Sequence, residues 1–85
     1  MEIIYLPKFA RQYKKLPNNV KVKAEKIEII FRKNPFDKKL STHKLHGLLK
    51  NFWAISIDKK YRIIFDFLDK HTIRFYSVGS HDIYE

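Results

Sequence analysis

Cysteine is absent from the 85-residue chain, which excludes disulfides and thiolate-held metals. Glycine and proline are scarce, at two and three residues, and no linker, repeat or low-complexity tract divides the chain. No apolar run approaches the roughly 18 residues of a membrane span. The opening Met1-Glu2-Ile3-Ile4-Tyr5-Leu6-Pro7 has neither the basic start nor the long apolar stretch of a secretory signal. Acidic residues are also few, nine against eighteen Lys and Arg. The expectation is a soluble protein of the cytoplasm, a compartment that missing cysteines permit without proving.

What the chain does have is aromatic bulk and positive charge. Seven Phe, five Tyr and one Trp supply large buried areas, which a disordered charged tail would lack. The length fits one small domain, residues 1–85, with a modest core. A net charge of +9 exceeds what solubility asks of so small a domain and points to a polyanionic partner: RNA, DNA or an acidic protein. A membrane surface fits poorly, because no segment joins a basic face to a strong insertion face.

The hydrophobic period changes midway. Glu2 to Leu6 suggests a first strand, and Pro7 suits the first turn of a helix. Phe9, Tyr13 and Leu16 then share a helical stripe. Pro17-Asn18-Asn19 breaks the chain, with Asn18 or Asn19 available to cap a second helix. Val20, Ala24, Ile27 and Phe31 follow at helical spacing until Asn34-Pro35 ends the run. From Trp53 onward the alternation is that of strands: Trp53-Ile55-Ile57, then Tyr61 to Leu68, then Thr72 to Val78. Asp58-Lys59-Lys60 and Asp69-Lys70-His71 separate them as hairpin turns, and Lys44 to Leu48 adds a strand end before Trp53. The expected class is α+β, in the order β-α-α-β-β-β, with an antiparallel sheet and a helical hairpin on one face.

Pleating then divides the residues of the sheet. If Ile63, Phe65 and Phe67 face the helices, Arg62 and Asp66 face away. If Ile73 and Phe75 face the helices, Arg74 and Tyr76 face away too. Arginines and a ring on the open face suit phosphates and bases. They equally suit a sheet that simply shows one polar face to water. His43 and His46 are too poorly supported by other ligands to suggest a metal, and His71 falls in a turn. His81 and Tyr84, in Val78-Gly79-Ser80-His81-Asp82-Ile83-Tyr84, follow the last strand. They read either as a site or as a polar tail with a packed Tyr.

Four stretches in order resemble the RelE/ParE superfamily of type II toxins, especially the RelE and YafQ-like messenger-RNA endonucleases. They are His43-Lys44-Leu45-His46-Gly47, Phe52-Trp53-Ala54-Ile55-Ser56-Ile57, Tyr61-Arg62-Ile63-Ile64-Phe65 and the closing Val78-to-Tyr84 segment. The resemblance covers essentially the whole chain. It implies a toxin that cuts messenger RNA on the ribosome without metal or cofactor, by attack of the ribose 2′-hydroxyl on the adjacent phosphorus. It also implies an acidic antitoxin as inhibitor, operator DNA reached only through that antitoxin, and no membrane partner.

By the same resemblance His43 is the candidate general base and Arg62 the phosphate clamp. His81 is the candidate general acid, and Tyr84 stacks on a base or assists proton transfer. Histidine titrates near neutrality, as proton transfer requires, and the planar arginine fork donates two hydrogen bonds to phosphate. Lys44, Lys50, Lys60 and Arg74 are candidate RNA contacts. The chain departs from the YafQ-like pattern at Ser56, where that branch carries a second His, and at Lys60, where it carries an Asp. A ParE-like gyrase inhibitor and a catalytically silent antitoxin-binding module are the rival readings.

Overall fold

The computed structural model describes residues 1–80, so His81 and Tyr84 lie outside the described residues. The chain runs β1 (Glu2–Tyr5), α1 (Pro7–Lys14), α2 (Asn18–Lys33), β2 (His43–Lys44), β3 (Trp53–Ser56), β4 (Tyr61–Phe67) and β5 (Thr72–Ser80), with single helical turns at Lys38–Leu40 and Gly47–Leu49. This is the expected α+β class.

Local chemistry accounts for most of these boundaries. Pro7 opens α1, where its missing N–H costs nothing, and Arg11 and Lys14 sit in the last turn, where cations complement the helix dipole. α2 begins one residue earlier than a capping asparagine would require. Pro17 holds the cap position with no side-chain hydrogen bond, and Asn18 and Asn19 are already helical. Asn34 leaves the helical region and its Oδ1 accepts from the Phe36 N–H at 3.0 Å, turning the chain before the sheet. Both polar breaks in the second half are built alike. Asp58 Oδ1 accepts from the Lys60 N–H at 2.8 Å, and Asp69 Oδ1 accepts from the His71 N–H at 2.8 Å.

The five strands lie in the order β1-β5-β4-β3-β2. Neighbours from β2 to β5 pair antiparallel, while β1 pairs with β5 in parallel, Ile3 beside Ile73 and Tyr5 beside Phe75. Among the described residues the sheet is therefore mixed, with one parallel pair at the edge. Beyond Phe75, α1 takes the place of β1 along β5. There the Val78 N–H donates to the Gln12 side-chain oxygen at 2.9 Å, so a backbone donor left without a strand partner is satisfied by a helix residue.

The main core lies between helices and sheet. Phe31, Phe65 and Phe75 are fully buried, and Phe31 meets the other two rings edge-on at 5.0 and 5.4 Å. Ile55, Ile57, Ile63, Ile73 and Val78 complete the sheet side of that core. Phe67 shares the face and is 37% exposed, its ring stacked on Phe36, which lies beyond the end of α2. The opposite face is less polar than simple alternation predicts. Leu45, Ala54 and Ile64 are buried there beneath Leu49, Phe52 and Tyr76, because residues 45–52 fold back across it. A β-bulge at Tyr76 contributes, setting an extra residue opposite the Ile64–Phe65 step.

Candidate functional site on the open face of the sheet

Strand register fixes which side chains share the open face. His43, Ala54, Ile64 and Ser77 lie side by side across β2, β3, β4 and β5. Two residues along, Ser56, Arg62 and Gly79 form the next row on the same face. His43 and Arg62 are thus two strands and one row apart, a Cα separation of roughly 12 Å from ordinary sheet spacings. Ser80, the last described residue, lies opposite Tyr61 and beside this same row.

His43 is exposed on a two-residue edge strand. Its Nδ1 lies 2.9 Å from the carbonyl oxygen of Ser41. A carbonyl only accepts, so that contact requires a proton on Nδ1, and the neutral ring then carries its free lone pair on Nε2. Ser41 sits in the left-handed region, φ 50° and ψ 42°, closing the Lys38–Leu40 turn. Few non-glycine residues adopt that conformation; here it leads directly into the edge strand that carries His43.

Arg62 is half-buried and anchored by its own turn. Its Nη1 donates to the carbonyl oxygens of Asp58 at 2.6 Å and Tyr61 at 3.1 Å. Asp58 organises the whole turn. Its carboxylate accepts from the N–H groups of Lys60 and Tyr61, both at 2.8 Å, and pairs with Lys23 of α2 at 3.3 Å. Burial pushes the Asp58 carboxyl up, but the Tyr61 and Lys60 N–H donors and the Lys23 ammonium outweigh it, and the net pKa is lowered.

The remaining candidates divide by position. Lys60 is exposed in the same turn, with Nζ 5.4 Å from the centre of the Tyr61 ring. Arg74 lies on the far side of the Ile64 row and is committed to Asp66 through a two-pronged pair, Nε–Oδ1 at 3.0 Å and Nη2–Oδ2 at 2.5 Å. Lys50 is exposed at the end of the Gly47–Leu49 turn, in the segment that covers this face. Lys44 alternates with His43 along β2 and belongs with Trp53 on the helix side of the sheet. Register therefore sets His43 and Arg62 one row apart on the open face and turns Lys44 to the opposite face, while the Lys60 ammonium lies over Tyr61, a ring packed on the helix-side core.

Three roles at the site went unread in the sequence: Ser41 orienting His43, Asp58 holding Arg62 as well as turning the chain, and Phe52 placing its ring 4.9 Å from that of Tyr76 over the open face. An Asp two residues past one strand, with the next strand opening three residues later, signals such a turn. Nothing in the local sequence marks Ser41. The cleft between the helices lies on the other side of the sheet. It encloses about 410 Å³ lined by Tyr5, Phe9, Tyr13 and Phe75 and is remote from His43.

No family model and no curated protein matches the chain. Solved structures do. YafQ from E. coli strain BL21(DE3) superimposes with a TM-score of 0.80 at 18% identity, covering 98% of this chain and 96% of that one. A YoeB/ParE toxin from Agrobacterium tumefaciens gives 0.79 at 13% identity, covering 95% and 99%. The toxin-antitoxin complex RelBE2 from Mycobacterium tuberculosis gives 0.76 at 16% identity, covering 94% and 96%. The chain shares the fold of these solved toxins, the fold that the order of sequence stretches led us to expect.

Proposed function

We propose that this chain is the toxin of a type II toxin–antitoxin pair and an endoribonuclease that cleaves messenger RNA on the ribosome. The observation that carries the reading is His43. Its Nδ1 contact with the Ser41 carbonyl leaves Nε2 as the acceptor, the form a general base needs, on the same sheet face as the Arg62 guanidinium. In this reading Nε2 takes the proton from a ribose 2′-hydroxyl. The freed oxygen attacks the adjacent phosphorus, and the bond to the 5′-oxygen breaks. Arg62 and Lys60 offset the charge that grows on the non-bridging oxygens. His81 returns a proton to the leaving oxygen, and Tyr84 assists; both residues lie outside the described residues. Lys50, Lys44 and Arg74 are proposed to steer RNA, with Arg74 doing so only once released from Asp66.

The toxin reading draws support from the shared fold, and two solved structures with that fold are complexes, RelBE2 and DinJ-YafQ. A net charge of +9 suits an acidic antitoxin as well as RNA. The test is to add purified chain to translating ribosomes and map the transcript ends. Fragments bearing cyclic 2′,3′-phosphate and 5′-hydroxyl ends are expected, and His43→Ala should lower the rate by about 10²–10⁴-fold. Intact transcripts together with inhibited gyrase supercoiling would replace this reading with the ParE-like one.

A further inference from the structure

Phe36, Trp53 and Phe67 form an aromatic cluster on the helix side of the sheet, where the helix layer has ended. Phe36 stacks on Phe67 with centroids 6.0 Å apart and planes at 15°, and both rings meet Trp53 edge-on, at 5.4 and 5.8 Å. Phe36 is 54% exposed and the adjoining Leu68 53%. Single exposed apolar residues are ordinary, but a contiguous group of rings marks a contact surface. Its surroundings are basic. Residues 33–44 carry four Lys against one carboxylate, Asp37, whose Oδ1 is occupied by the Lys39 N–H; Arg32 is turned instead to Glu28 and Tyr5. Lys44 lies opposite Trp53 in the strand register, on this same face.

We propose that these three rings are a stacking platform for single-stranded RNA, with Lys44 and the lysines flanking Phe36 contacting the backbone. Exposed ring faces interleaved with cations suit unpaired bases, which stack without demanding a particular sequence. An acidic peptide would find the charge but not a groove for its side chains. The interhelical cleft, lined by Tyr5, Phe9 and Tyr13, shares none of these rings. β2 links the platform to the cutting face, since its two residues turn His43 to one side and Lys44 to the other. A strand crossing this short edge reaches both faces, so the platform holds nucleotides that flank the scissile bond. The placement of that bond rests on the proposed function; the binding itself does not.

The probe is a fluorescent 2′-O-methyl RNA oligonucleotide of about ten nucleotides, which binds but has no 2′-hydroxyl to react. Phe36→Ala in the full chain should weaken binding by about 5- to 150-fold, the range of one base–aromatic stack. Phe36→Trp should retain it, and an RNA duplex of the same sequence should bind both variants alike. Thermal melting checks that each variant is folded. Unchanged oligonucleotide affinity in folded Phe36→Ala overturns the platform, even if His43-dependent cleavage persists. So does an equal loss for the duplex, which would indicate charge without stacking. A loss confined to an acidic Glu-rich peptide would assign the rings to a protein partner and likewise overturn it. Absence of cleavage with Phe36-dependent binding would sink the nuclease reading and leave the platform standing.

Discussion

Replacing Arg62 by Lys isolates what the guanidinium geometry contributes. In the native turn Nη1 is already spent on the carbonyls of Asp58 and Tyr61. The planar fork lets those bonds hold the group in place while the other guanidinium N–H groups remain to meet a phosphate. A lysine ammonium carries the same charge but has one nitrogen for both tasks. If it stays with the turn, it loses its hold on the phosphate. If it turns to the phosphate, two backbone carbonyls lose their donor. Either way about one charge-assisted hydrogen bond disappears, roughly 1.5–3 kcal/mol. At 1.36 kcal/mol per factor of ten this is about a 10- to 160-fold loss in kcat/KM for ribosome-bound transcript. Single-turnover cleavage, with melting temperature measured alongside, reads the effect. An Arg62→Lys variant that cuts at close to the native rate would refute the clamp, because charge alone would then suffice.

Other outcomes follow from the same geometry. Asp58→Ala removes the acceptor of two backbone N–H groups and the partner of Lys23, and should cost about 2 kcal/mol in urea denaturation. The pH dependence has a definite sign. The folded pKa of Asp58 is lowered, so its stabilisation is complete above the unfolded carboxyl value of about 3.9 and fades as pH falls through the folded value. Asp58→Asn should flatten that acid limb of the stability profile, and an unchanged slope below about pH 4 would count against the linkage. Phe31→Ala empties the centre of a three-ring cluster with no exposed surface and should cost about 3–5 kcal/mol, enough to unfold much of a domain this small at about 37 °C. Releasing Arg74 by Asp66→Asn should raise the affinity for single-stranded RNA if Arg74 is then free to contact it, while leaving the cleavage chemistry of bound RNA unaltered. A fluorescence titration decides, and unchanged affinity would remove Arg74 from the RNA surface.

How much of this the sequence disclosed depends on the range of the interaction. Pro7, Asn34-Pro35 and the two Asp-led turns act on their immediate neighbours, and the boundaries they implied fall within one residue of those observed. Alternation placed Ile63 and Phe65 inward and Arg62 outward because a pleat depends only on parity. Parity says nothing about which strand lies alongside, so the parallel contact of β1 with β5 was beyond it. Leu45, Leu49 and Phe52 follow neither helical nor strand period, and their return across the open face was equally invisible. The open face could be read as carrying Arg62 and Arg74, but not that one guanidinium grips its own turn and the other a carboxylate. Those attachments arise from distances that only the assembled sheet sets.

The parallel contact of β1 with β5 carries a consequence for timing. A chain made from its amino end presents Glu2–Tyr5 before the other described strands, yet the strand that pairs with it is the fifth of them, Thr72–Ser80. β5 is also flanked on its other side by β4, so the sheet cannot close around its core until β5 itself has been made. Such sequence-distant pairing folds late. During its own translation, the molecule that we propose attacks transcripts on ribosomes lacks a finished cutting face until β5 is in place.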